Sequence, residues 1–314
     1  MFGTSGDATK DDVEKNGGIV FPEHRGIEAI NVLDPAFETA RNAGVTTVCV
    51  GPGSISAIAG THVALKTSGY ILYEMVVRDP VAMKAAIGEN PKRFAATRMT
   101  IFSAIRNALI NAKEYKRKLD AAQRGECAMP QRDPKSEALL PVIEKKIPLK
   151  VHGYRVDDLQ SIMAIAKECD VKLTLEHATD AFMLTKQLKE QNIPVALGPY
   201  FSQNRRAESV NKAPIHAVEL IREGILVSIM SDAPVISEEY LAIEAGLLVR
   251  EGLSEFEAIK TITANPAKHL GIEDRVGTIK VGLDADFVVC KGCPLSVFVK
   301  PEAVFINGKC VYER

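Results

Sequence analysis

"IPLKVHGYRVDDLQSIMAIAKECDVKLTLEHATDAFMLTKQLKEQNIPVALGPY", residues 147–200, decides the fold. Three short segments rich in branched apolar residues (147–153, 171–177, 193–200) are separated by two stretches with helical spacing (157–168, 180–191). Strand, helix and strand at that pitch is the signature of parallel βαβ units. The rhythm continues on both sides. A helix is predicted at 134–146. Another at 214–223 leads into "ILVSIMSDAP" (225–234), and helices follow at 238–251 and 254–264. At least four such units in a row, with strands that read as continuously apolar, point to a (β/α)8 barrel of the TIM type. A doubly wound open sheet is the alternative.

The flanks read differently. Residues 1–22 are Gly-rich and polar, a loop. "PAFETARNAGVTTVCVGPG" (35–53) is a helix, a stop at Gly44, a β-branched strand and a Gly/Pro turn. "THVALKTSG" (61–69) is a second strand, and 79–89 and 98–124 are predicted helices. After Pro266 come short strands and tight turns, with a hairpin signal at "INGK" (306–309). The expected organisation is a barrel over 1–270 and a small β portion over 271–314.

Composition narrows the function. The chain has 314 residues, 46% of them hydrophobic, enough to bury a large core. A formal net charge of −1 argues against nucleic acid or an anionic membrane as partner. No run approaches the ~18 apolar residues that span a bilayer. The polar, acidic start is unlike a signal peptide, and six scattered cysteines read as reduced thiols. The expected location is cytoplasmic.

The ends of the strands carry the chemistry. One predicted strand ends in His152, the next in His177, and "LVSIM" runs into Asp232. In a barrel, the C-terminal ends of all strands open on one face. Two neutral imidazoles and a carboxylate there suit Zn²⁺, Mn²⁺, Ni²⁺ or Fe²⁺. A single histidine at a strand end reads equally well as a hydrogen-bonded packing residue; three groups at equivalent points of a repeat favour the ligand reading. Arg205 and Arg206 follow residues 193–200, where an arginine could clamp a substrate carboxylate or simply belong to a solvated loop. His24, His62, His216 and His269 lie off the pattern and receive no role.

"IPLKVHGYRVDDL", "LTLEHATDA", "VSIMSDAPV" and above all "NPAKHLGIEDRVGTIKVGLDADFVVCKGCPLSVFVKPEAVFINGKCVYE" (265–313) resemble the amidohydrolase superfamily, in its imidazolonepropionase-like and prolidase-like branch. "AGVTTVCVGPGS" and "IGENPKR" belong to the resemblance, which runs from about residue 30 to the end. It implies a metal-dependent hydrolase on a (β/α)8 barrel with a small β-sandwich, holding one or two divalent ions, zinc first. His152 and His177 match the ligands ending the family's fifth and sixth barrel strands. Asp232 matches the aspartate after the eighth, ligand and general base. Lys66 in "ALKTSG" resembles a lysine that some members carboxylate to bridge two metals; a buried stem with a hydrogen-bonded amine is the other reading. The implied substrate is a small amino-acid derivative, a dipeptide or an imidazolone-type ring, cleaved at a C–N bond. A homo-oligomer is the macromolecular partner left open.

Three departures stand out. The family's His-x-His pair, at the end of the first strand, is absent from this chain, whose six histidines include no such pair. Tyr154 and Ala233 stand where relatives often carry histidine. The expectation is therefore a barrel short of its first strand, with open edges. It is either a truncated hydrolase or a degenerate relative with no catalytic activity.

Overall fold

The computed structural model describes residues 19–202 and 207–314. Seven strands form one curled sheet in sequence order. They are β1 (Thr47–Val50), β2 (Ile58–Lys66), β3 (Val76–Ala86), β4 (Leu149–Gly153), β5 (Leu173–His177), β6 (Val195–Leu197) and β7 (Val227–Ile229). The helices are α1 (Pro35–Asn42), α2 (Leu72–Met75), α3 (Glu89–Ala95), α4 (Arg98–Gln123), α5 (Pro134–Ile143), α6 (Val156–Glu168), α7 (Thr185–Glu190), α8 (Pro214–Arg222), α9 (Leu241–Arg250), α10 (Glu255–Lys260) and α11 (Ala264–Leu270). Local chemistry sets several starts. Asp34 and Asp133 cap α1 and α5 with their carboxylates, each followed by a proline that is already shaped for a first turn.

β3 to β7 are parallel throughout, as the βαβ rhythm requires. Two expectations are corrected. Residues 79–89, read as a helix, lie largely in β3, which bonds to β2 on one side and β4 on the other. The Ala, Met and Lys of "VAMKAA" favour helix in isolation, but two ready-made strand edges outweigh that preference. Nor are all strands parallel: β2 runs antiparallel to both β1 and β3.

The sheet is a half-barrel with β1 and β7 at its edges. The outer edge of β7 is partly capped, because Ile229 N donates to the Thr261 carbonyl and Asn265 Nδ2 donates to the Val227 carbonyl.

The strands are also less uniformly apolar than their sequences suggested. Leu149, Val151, Leu173, Leu175, Val195, Leu197, Val227 and Ile229 point outward and pack under the helices as the main core. The alternate positions face inward and are polar on β4, β5 and β7, with Ala196 on β6. Beyond α11, β8 (Phe287–Cys290), β9 (Pro301–Ile306) and β10 (Lys309–Glu313) make a separate antiparallel sheet, order β10-β9-β8. Its hairpin turns at Asn307 and Gly308, both at positive φ (50° and 75°), as the Asn-Gly signal predicts.

Candidate active site

A cavity of about 870 Å³ fills the half-barrel. Lys84, Lys150, His152, Glu176 and Ser228 line it from the inward positions of β3, β4, β5 and β7. His177 lines it as well, although it directly follows Glu176 and strict alternation would send it outward. Its backbone takes a left-handed turn (φ 64°), and Asp232, just past β7, does the same (φ 53°). Two non-glycine residues held in that costly region at one mouth mark a place where geometry is kept against local preference.

His177 is tightly oriented. Its Nδ1–H donates to the Gly198 carbonyl at 2.9 Å. That bond fixes the tautomer and leaves Nε2 with its lone pair, 3.6 Å from Asp232 Oδ2. Burial holds the imidazole below its ordinary pKa, and the Asp232 carboxylate opposes that shift without cancelling it. The ring is therefore neutral near pH 7. His152 meets it edge-on, with ring centroids 4.5 Å apart, and Tyr154 lies 4.9 Å from both rings. The Asn90 side-chain amide donates to His152 Nε2 at 3.0 Å. Asp232 keeps 42% of its side chain exposed, so it can exchange protons with solvent.

The donor set suits a divalent cation in kind: two imidazoles, one with a free lone pair held by a carbonyl, and a carboxylate. In place it is incomplete. His177 and Asp232 form a two-donor edge, whereas His152 is engaged by Asn90. Among the described residues, no three His, Cys, Asp or Glu side chains gather closely enough to hold an ion.

Of the residues singled out by sequence, the fold brings His152, His177 and Asp232 to one mouth. It does not bring Lys66 there. Because β2 is antiparallel, its last residue lies at the opposite end of the sheet, about 25 Å along the strand from the mouth side. There Lys66, 2% exposed, pairs with Asp284 at 2.9 Å and Asp286 at 2.5 Å, fastening the half-barrel to the small sheet. Arg205 and Arg206 lie outside the described residues.

Sequence reading missed the layer beneath the mouth. Glu176 pairs with Lys150 through Oε2, and its Oε1 accepts from His269 Nε2 at 3.0 Å, all three groups being buried. The lysine and histidine hold Glu176 well below the usual carboxylate range, despite a larger opposing contribution from burial. The signal was present in "LKVH" and "LTLE", where polar residues recur every second position.

The Amidohydrolase family model matches residues 134–311. A crystal structure of an amidohydrolase from Thermotoga maritima MSB8 superposes with a TM-score of 0.95 at 34% identity, covering 99% of this chain and 83% of that one. Amidohydrolase tasK of Hapsidospora irregularis is 28% identical over 96% of this chain but only 34% of its own length. The chain thus spans about a third of that curated relative. By its matched segment and its near-complete superposition, this chain belongs to the amidohydrolase family.

Proposed function

We propose that the cavity hydrolyses a C–N bond, in an amide or cyclic amide, of a small amino-acid-derived substrate such as a dipeptide or an imidazolone-type ring. The observation that carries the reading is the oriented pair at the mouth. His177 is kept neutral, with Nε2 aimed toward Asp232 at 3.6 Å, and both residues sit on left-handed backbone. Asp232 is the general base: partly exposed, it takes the proton of the attacking water and later returns it to the leaving amine. His177 holds the mouth in register through Gly198, and His152 and Tyr154 wall the site on one side. The reading includes a divalent cation, zinc by its donors, held by His177 and Asp232 with His152 if Asn90 releases it. When bound, such an ion polarises a carbonyl and acidifies water.

Elemental mass spectrometry on the purified chain, beside His177→Ala and Asp232→Ala, tests this together with turnover of dipeptides and imidazolones. The expected result is about one zinc or more per chain, lost in both variants along with turnover. A folded chain with neither metal nor turnover would overturn the reading and leave a non-catalytic relative.

A further inference from the structure

Cys49 of β1 and His62 of β2 both line the cavity, and the hydrolase reading uses neither. Their side chains are paired. Cys49 Sγ stands 3.6 Å from His62 Nδ1, and His62 Nε2 lies 3.3 Å from the Pro52 carbonyl. A carbonyl only accepts, so Nε2 carries the ring proton, Nδ1 keeps its lone pair and the Cys49 thiol donates to it. The buried ring has a specific seat: a Cβ on Gly51 would meet it at 2.2 Å, so only glycine leaves the space. Burial raises the Cys49 thiol to about 11 and holds the His62 imidazole well below its ordinary pKa. The pair is therefore neutral, a thiol facing an imidazole nitrogen inside the half-barrel.

The geometry points to a second metal site, in which Cys49 Sγ and His62 Nδ1 hold a soft monovalent cation, Cu(I), between them. Thiolate and imidazole are donors that such an ion selects. A metal-bound histidine is usually oriented as His62 is, by a backbone carbonyl on its other nitrogen. The spacing fits as well. An ion about 2.3 Å from sulfur and about 2.0 Å from nitrogen separates the two by about 3.5 Å at a tetrahedral angle and about 4.3 Å when they are opposed. The observed 3.6 Å lies within that span. The surroundings choose the charge. A protein zinc site usually takes three or four side-chain ligands, and among the described residues no third His, Cys, Asp or Glu joins the pair. The Lys150 and Lys84 charges bear on both groups, which disfavours an added positive charge beside them. On binding Cu(I), the S–H bond breaks, an S–Cu bond forms and the proton leaves to solvent. Nothing is oxidised or reduced, and one unit of charge replaces another. The pair is distinct from His177 and Asp232. His62 is in register with Ala82, four residues before the Ala86 that pairs with His152, about 13 Å along β3.

The test reads binding, not turnover. The full chain, Cys49→Ser and His62→Gln are titrated with Cu(I) without oxygen, in competition with bicinchoninate, and each cysteine is then mapped for N-ethylmaleimide labelling by peptide mass spectrometry. The other five cysteines serve as internal controls. The wild-type chain should retain one more Cu(I) than either variant, and Cys49 should be protected from the label. In His62→Gln, protecting Cys49 should take about tenfold more Cu(I) or more, with the other cysteines unchanged. Zn²⁺ at the same free concentration should leave Cys49 open. If Cys49 resists the label without metal, the Cu(I) count alone decides. Equal counts in the three chains overturn the proposal, as does protection that survives unchanged in His62→Gln. Equal protection by Zn²⁺ overturns the choice of a monovalent ion. Amide turnover does not enter any of these readings, so the hydrolase proposal stands or falls separately.

Discussion

The mouth of the cavity and the layer beneath it use the same kinds of side chain in opposite ways. At the mouth, Asp232 is 42% exposed, His177 Nε2 stands 3.6 Å from it rather than bonded, and both backbones are left-handed. One layer down, Lys150, Glu176 and His269 are buried, on ordinary strand and helix backbone, with the two Glu176 oxygens shared between their partners. The lower groups have spent their hydrogen-bonding capacity on each other and hold β4, β5 and α11 together. The upper groups have kept theirs for something that arrives. Stability and chemistry are thus separated by only one or two residues along the same strands, about 3 Å from Glu176 to His177 and about 7 Å from Lys150 to His152.

The sharpest way to break this comparison is to remove one charge from each layer. Glu176→Ala leaves the Lys150 ammonium buried and alone, and should cost about 3–5 kcal/mol in urea denaturation. Asp232→Asn should stay within about 0.5 kcal/mol of wild type, because the side chain is half in water and asparagine tolerates a left-handed backbone. Equal costs would erase the distinction between the layers. Lys66→Met extends it to the junction with the small sheet. Asp284 would keep Arg275 at 2.8 Å, but Asp286 would lose its cation and keep only the Asn307 N–H, at a cost of about 2–4 kcal/mol; calorimetric unfolding that shows no loss would remove the fastening role.

Glu238, also on the cavity wall, refines the picture. Burial raises its carboxyl to about 7, with Asp34 adding to the shift. Its folded pKa lies above the unfolded value, so the native state prefers the protonated form and stability drains away as pH rises from about 4.5 toward 7. Glu238→Gln should therefore stabilise the chain by about 1–3 kcal/mol at pH 8 and hardly at all at pH 4. The smallest expected effect belongs to His62. Burial, then the nearby Lys150 and Lys84 charges, hold its imidazole well below the ordinary value. The native state keeps it neutral, so stability falls as pH drops below about 6.5 and the unfolded chain takes up the proton. Unfolding midpoints of His62→Gln between pH 5 and 7 should show a flatter slope than wild type.

How far the sequence could be read depended on how local the signal was. The parallel strands β4 to β7 were legible because each is a short apolar segment followed by Gly, Pro or a helix start. His152, His177 and Asp232 were legible because each closes one unit of a repeat, and parallel strands deliver their ends to one face. Lys66, singled out by the family resemblance, also closes a strand but lies away from the mouth. A strand end reaches the mouth only if the strand runs the same way as its neighbours, and β2 does not. Strand β3 was hidden because its residues favour helix and only its two neighbours make it a strand. Lys150, Glu176 and His269 were hidden because a group's partner can be 93 residues away, as Glu176 is from His269.

By itself, the sequence determined the βαβ order, the Asn-Gly hairpin of the small sheet and the strand ends that carry His152, His177 and Asp232. These follow from periodicity and turn chemistry, which act over a few residues. Only the tertiary structure decided the direction of β2, the pairing of Lys66 with the small sheet and the buried network around Glu176. Each of these depends on partners far apart in the sequence, which meet only when the sheet curls.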